Sequence, residues 1–298
     1  MWVFFGLFSA LFLGFYDVAR KKVLRNNPVI PVLFLASLTG ALTFLPLIVL
    51  SRTGIIGEDS MVYIPSGSFH LHLLTFYKSA LVGSSWFLAY NALSRLPLTI
   101  MVPIRSTGPM WTLIGAVIVF HERFTALQWT GILTVLCFFY YFSLAGKKEG
   151  IDFLRNKWIF AAIGATLLGA ASALYDKYLF SHFDRFFIQA WMSVYMIPVL
   201  LPLMFFRRSP KKSSLKWTWL IPVIGLLLVI SDFVYFYALS TEGSLIAVLS
   251  VLRRTSVVIA FVSGAIFFGE RNLKRKGLAL FGILTGVLLI VLGTLIDK

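Results

Sequence analysis

Three arginines stand where charge is costly. The runs "VPIRSTGPMW" around Arg105 and "VLSVLRRTSVVIAFVSG" around Arg253 and Arg254 are otherwise apolar or weakly polar. A guanidinium is a rigid fork of donors that matches a carboxylate or phosphate bidentately. Counting residues at 1.5 Å each puts Arg105 roughly 12 Å inside one surface of a membrane and Arg253 roughly 14 Å inside the other. Both depths approach the middle of a hydrocarbon core about 30 Å thick. An arginine there costs about 2.5–3.5 kcal/mol on the insertion scale, which some twenty apolar neighbours can offset. Intramembrane charge of this kind marks a solute pathway by default. Adjacent helical residues point about 100° apart, so one of Arg253 and Arg254 is expected to line a cavity while the other braces a helix. Arg105 would face the same cavity from elsewhere, with Ser106, Thr107, Thr255 and Ser256 supplying hydroxyls. The competing account is an internal ion pair, for which Asp232 is the evident partner.

Other ionisable residues carry weaker signals. Lys78 is either a further cation of the cavity or a chain that snorkels to the surface. Asp17 and Asp176 fall near span ends beside Arg20, Lys21 and Lys177, where interfacial pairing accounts for them, proton coupling being the other reading. Glu122 and Glu270 sit beside Arg123 and Arg271 as helix-terminal pairs. The "HLH" at 70–72 lacks a third metal ligand nearby, and the single Cys137 excludes a disulfide within the chain and a Cys-based cluster. Neither a metal nor a cofactor is expected.

The elements that must hold these residues are membrane helices. Of 298 residues, 59% are hydrophobic and 13% charged, against about 25% charged in soluble chains. Apolar runs near 2–20, 29–50, 71–93, 98–120, 126–145, 158–179, 187–206, 218–240, 244–268 and 276–296 are each close to the length of a span. In lipid the backbone must satisfy itself, and spans of this length do so as helices. The first run has no basic stretch before it and reads as a retained span. The net charge of +15 lies mostly in short connectors. It therefore suits membrane lipids and orientation better than nucleic acid. The connectors after spans 1, 3, 5, 7 and 9 hold most of it, which places that side in the cytoplasm and both termini outside.

The chain is written twice. "TIMVPIRSTGPMWTLIGAVIVFHER" (99–123) lies over "AVLSVLRRTSVVIAFVSGAIFFGER" (247–271) without a gap, so Arg105 meets Arg253 and Thr107 meets Thr255. Ser85 and Phe87 meet Ser231 and Phe233, and Tyr16-Asp17 meets Tyr175-Asp176. The expected division is 1–146 and 147–298, five spans each. An odd number inverts the second copy, and inverted repeats with a site at their interface are a transporter architecture. Pro103 and Pro109 should loosen span 4 around Arg105.

Ten spans in two halves, with "FHER" and "FGER" closing spans 4 and 9, resemble the drug/metabolite transporter superfamily, EamA type, over essentially the whole chain. Ten-span members are described with both termini cytoplasmic, the reverse of the charge bias here. Arg105, Arg253 and Arg254 are also similar in position to basic residues with which the related triose-phosphate translocators bind phosphate. The resemblance implies an all-α integral membrane protein of ten helices in a five-plus-five inverted repeat, multi-pass in the cell (inner) membrane, with a homodimer as one assembly open to it. It implies a secondary transporter moving a small organic anion, phosphorylated or not, by alternating access and exchange. The alternative is an EamA-type exporter of amino acids, drugs or other metabolites, with or without proton coupling. The binding residues expected are Arg105, Arg253, Arg254, Lys78, Thr107, Thr255 and Asp232. No nucleotide-binding loop and no acid–nucleophile set is present, so an enzyme is not expected.

Overall fold

The computed structural model describes residues 2–60, 62–120, 125–147, 153, 155–206, 215–240, 252–253, 255–269 and 272–296. Among these there are helices and no strand. They are α1 (Trp2–Leu24), α2 (Val29–Arg52), α3 (Phe69–Arg95), α4 (Leu98–Ser106), α5 (Gly108–Phe120), α6 (Ala126–Lys147), α7 (Lys157–His182), α8 (Arg185–Phe206), α9 (Leu220–Ser240), α10 (Ser256–Phe268) and α11 (Leu273–Ile296). With α4 and α5 as two halves of one span, the fold is all-helical with ten spans. Four helices, α2, α7, α8 and α11, are long and apolar enough by themselves to cross a membrane. Phe4, Phe205, Ile266, Phe267 and Phe281 stand exposed on the outside of the bundle. A water-soluble surface would hide such residues, whereas lipid tails solvate them.

Helix ends follow local chemistry. Ser68 caps α3 by accepting from the Leu71 N–H at 3.2 Å, and Asn156 caps α7 by accepting from Trp158 at 2.9 Å. Lys21 is buried and donates to the carbonyls of Leu93 and Leu96 at 2.7 and 2.5 Å, where α3 ends and its carbonyls lack helical partners.

The span containing Arg105 is broken immediately after it. Pro109 has no N–H to offer the Arg105 carbonyl, and its ring crowds that position. At the break, Thr107 bonds back to the Ile104 carbonyl through its N–H (3.2 Å) and its hydroxyl (2.8 Å). The second half repeats this without the proline. Thr255 bonds to the Leu252 carbonyl through its N–H (3.0 Å) and hydroxyl (2.7 Å), and α10 restarts at Ser256. There the interruption rests on the threonine, whose hydroxyl competes for the carbonyls of the preceding turn.

Packing between the halves comes in exchanged pairs. α1 packs on α9 as α7 packs on α3, α1 on α10 as α7 on α5, and α2 on α9 as α8 on α3. α2–α8 and α6–α11 pair with their own counterparts. A two-fold relation between the halves requires this exchange. Hydrogen bonds follow it as well. Ser231 donates to the Ser9 carbonyl (2.9 Å) across α9–α1, and Ser85 donates to the Ala165 carbonyl (2.8 Å) across α3–α7.

α6 and α11 touch along glycines. A Cβ on Gly131 would lie 2.7 Å from the Gly286 carbonyl oxygen, and one on Gly286 would lie 2.8 Å from that of Gly131. Small residues are what allow membrane helices this approach. Gly131→Val should therefore lower stability by about 1–3 kcal/mol, the usual cost of overpacking. Gly57→Ala, where nothing lies within 4 Å of the added carbon, should not. Thermal unfolding of the purified variants in detergent checks the difference.

Candidate functional site

A cavity of about 570 Å³ lies between the halves. Its charged lining comes from both: Asp17 and Arg20 on α1, Lys78 on α3, Arg105 at the end of α4, Asp176 on α7, Asp232 on α9, and Arg253 just before α10. Four basic side chains thus face three acidic ones among the described residues.

On α1, Tyr16, Asp17 and Arg20 share one face because residues three and four apart are neighbours on a helix. Arg20 is 2% exposed and lies between the rings of Tyr16 and Tyr90, 4.8 Å from each centroid. Its Nη1 donates to the Tyr16 hydroxyl at 3.2 Å and its Nη2 to Asp17 Oδ1 at 2.7 Å. The same oxygen accepts from Arg105 Nη1 at 2.9 Å. One carboxylate oxygen therefore holds two guanidiniums. Arg20 is locked in aromatic packing, while the Arg105 side chain is 37% exposed toward the cavity.

The other pairs are simpler. Lys78 Nζ bonds Asp176 Oδ1, and Arg253 Nη2 bonds Asp232 Oδ1. The Arg253 guanidinium also lies over the Tyr235 ring, 4.5 Å from its centroid. Its side chain keeps 23% exposure. Asp176 and Asp232 line the same cavity.

Of the residues singled out in the sequence, Arg105, Arg253, Lys78 and Asp232 therefore come together on one cavity. Ser256 lines it too, whereas Ser106 donates to the Val102 carbonyl. Thr107 and Thr255 do not line it; their hydroxyls serve the helix breaks, and Thr107 Oγ1 also accepts from Trp111 Nε1 at 3.1 Å. Arg254, Glu122, Arg123, Glu270 and Arg271 lie outside the described residues.

The structure corrects the interfacial placement of Asp17 and Asp176. α1 continues to Leu24 and α7 to His182, so both carboxylates sit well inside their helices and open onto the cavity. The described partner of Asp176 is Lys78 on another helix. Arg20 pairs with Asp17 as its position in the sequence suggested, but the pair lies on the cavity, with Tyr16 beside it in the lining and Tyr90 against the guanidinium. The repetition of Tyr-Asp at 16–17 and 175–176 was the signal for the carboxylates, since an interfacial pair has no need to recur at equivalent positions. His72 bonds the Tyr195 hydroxyl at 2.9 Å. Among the described residues no three His, Cys, Asp or Glu side chains converge as a metal would require.

Both halves of the chain match one protein family: the EamA-like transporter family aligns with residues 1–144 and again with 156–292. The chain belongs to that family. An EamA-like transporter is an integral, multi-pass membrane protein that moves a small-molecule solute, and the charged cavity between the repeats is the space such a solute can enter. The chain is also similar to an uncharacterized transporter of Archaeoglobus fulgidus, 23% identical over 292 residues that cover 97% of this chain and 98% of that one. A protein crystal structure at 12% identity superposes with a TM-score of 0.64, covering 100% of this chain and 99% of its own, which extends the likeness in fold.

The shared carboxylate separates two kinds of variant. Asp17→Asn leaves the buried Arg20 charge without its counter-ion and should cost about 3–5 kcal/mol. Asp232→Asn breaks a pair that is about a quarter exposed, so the expected loss is smaller, nearer ~1 kcal/mol. Thermal unfolding of the two purified variants, side by side, tests the order.

Proposed function

We propose that this EamA-like transporter carries a small organic anion, phosphorylated or carboxylated, by alternating access and exchange. The observation that supports this reading is the cavity lining. Arg105 and Arg253, equivalent residues of the two repeats, meet there, and the described charges leave one positive in excess. A guanidinium in a poorly solvated space needs a counter-charge. The carboxylates supply one in the form described here. A visiting anion competes with them, which keeps binding weak enough for release. Reorienting the cavity with its excess charge uncovered is costly, and an anion of the right size removes that cost. Exchange is therefore favoured over one-way passage.

A second reading is supported by a different feature. Asp176 and Asp232 both face the cavity, and two carboxylates in one poorly solvated space repel. A solute with an ammonium group, or a proton, would relieve that repulsion. This favours an exporter of amino acids or related metabolites, with or without proton coupling.

Reconstitution in proteoliposomes separates the two. Arg105→Gln and Arg253→Gln should each reduce uptake of labelled organic phosphates and carboxylates by at least about tenfold, the scale of a lost charge-assisted contact. Uptake by wild-type protein should rise when the vesicles are preloaded with the unlabelled anion. Unchanged transport in both variants would remove the arginines from the site. Stimulation by a proton gradient, without stimulation by preloading, would favour the second reading.

A further inference from the structure

A smaller space of about 40 Å³ adjoins the charged cavity, enclosed by α1, α2, α3, α8 and α9. The two share Tyr16, Trp86, Gln189, Met192, Leu228 and Asp232 as a common wall. Beyond that wall the small space is mainly apolar, bounded by Phe44, Met196, Ile224 and Val229. Two polar atoms in its lining stand out. Gln189 Oε1 and Ser37 Oγ are buried, and each lacks a hydrogen-bond partner among the described residues. Both residues are 7% exposed. A buried polar atom left unpaired destabilises the fold, and such atoms in native proteins ask for an explanation.

Close packing elsewhere makes the opening more pointed. Next to Ser37, at Ala36, α2 and α9 are in backbone contact, so that a Cβ on Gly225 would lie 2.3 Å from the Ala36 carbonyl oxygen. At Gly40 the helices part, and an added Cβ would meet only Val229, at an ordinary 3.7 Å. The space is therefore bordered by tight packing on one side and held open on the other. Its volume suits about three water-sized groups at roughly 10–15 Å³ each.

We propose that this pocket is a specificity subsite, which receives a small, mainly apolar substituent of the transported solute ending in a hydrogen-bond donor. This rests on the anion reading for the head group. Asp232 lines both spaces and bonds Arg253. An anionic head paired with Arg253 thus stands one side chain away from the pocket. Gln189 Oε1 can only accept, so the group it takes must donate; the Ser37 hydroxyl does either. A plain alkyl substituent would fill the volume and leave the Gln189 oxygen unpaired. A hydroxyl-terminated one would satisfy it.

The test uses the full-length protein in lipid nanodiscs, titrated calorimetrically with methyl phosphate, propyl phosphate and 3-hydroxypropyl phosphate. Acetate, butyrate and 4-hydroxybutyrate form a second series. Wild-type protein should bind the hydroxyl-terminated member about fivefold to tenfold more tightly than its alkyl counterpart, the worth of one buried hydrogen bond. Gln189→Leu combined with Ser37→Ala should abolish that preference and leave the affinity for methyl phosphate or acetate within about twofold. Gly40→Ala adds one carbon to the pocket without a clash and favours the helix, so it should fold. It should weaken binding of the longer members only. A wild-type preference that persists in the double variant overturns the subsite, and so does the lack of any preference in the wild type. Arg105→Gln and Arg253→Gln test the head-group reading separately: methyl phosphate and acetate binding unaffected by both would sink the anion site while leaving the tail preference as its own result. If no member of either series binds, both fail.

Discussion

Charge inside a bilayer must be answered by charge, and in this transporter the answer is given first at Asp17. Its Oδ1 accepts from Arg20 and Arg105 together. Removing ions from water costs several kcal/mol each even after relaxation, so neither arginine is tolerable there alone. The bond to Arg20 is the fixed part. That guanidinium is fully buried between two tyrosines, and those tyrosines tie α1 to α3. The bond to Arg105 is the exchangeable part, because its side chain faces the cavity at the point where α4 ends. Should Arg105 turn to a solute, Asp17 still has Arg20. The carboxylate is never left bare, and the arginine can change partners at modest cost.

The position of Arg105 depends in turn on the broken helix. A continuous span would have carried the helix straight past this point. The break leaves Arg105 in the last turn of α4, where the helix dipole favours a cation. The second half arrives at the same local geometry by a different residue choice. Pro109 has no counterpart at Val257, yet Thr107 and Thr255 make the same bonds to the carbonyls three residues back. What the two-fold relation preserves is the interruption beside the arginine, rather than the residue that causes it.

This explains what could be read in the sequence. The spans were legible because lipid imposes length and apolarity on each one, and the repeat because equivalent positions do equivalent work. That Arg105 and Arg253 face one cavity followed from their equivalence in the repeat. Of the pairing, Arg253 with Asp232 was legible, whereas Arg105 with Asp17 and Lys78 with Asp176 were not. Asp17 and Asp176 read as interfacial because the apolar runs end near 20 and 179, only three residues beyond each. The helices in fact run on, through Lys21 and Lys22 in α1 and through His182 in α7, and Lys21 is itself buried against carbonyls at the end of α3. Apolarity marks where lipid ends, whereas a helix ends where its backbone runs out of partners. The break at Thr255 was hidden for a related reason. Proline announces itself, but a threonine hydroxyl turned back on its own helix looks no different in sequence from one turned toward a ligand.

The two halves of the site are not equally prepared for a visitor. On the Asp17 side, one carboxylate is held by two described cations. On the other, Asp176 and Asp232 each have one, and both carboxylates face the same cavity. If a solute draws Arg105 away, the charge balance behind it survives. If it draws Arg253 away, Asp232 is left facing Asp176, and the local field there becomes more negative. A low-dielectric cavity magnifies that difference. On the proposed reading, an anion should therefore engage Arg105 fully and Arg253 only in part, keeping the Arg253–Asp232 bond as it does so. A solute that broke both bonds would have to bring a positive group or a proton with it. The charge of the carried species is thus constrained by the carboxylates as much as by the arginines, and the carboxylates come from both repeats.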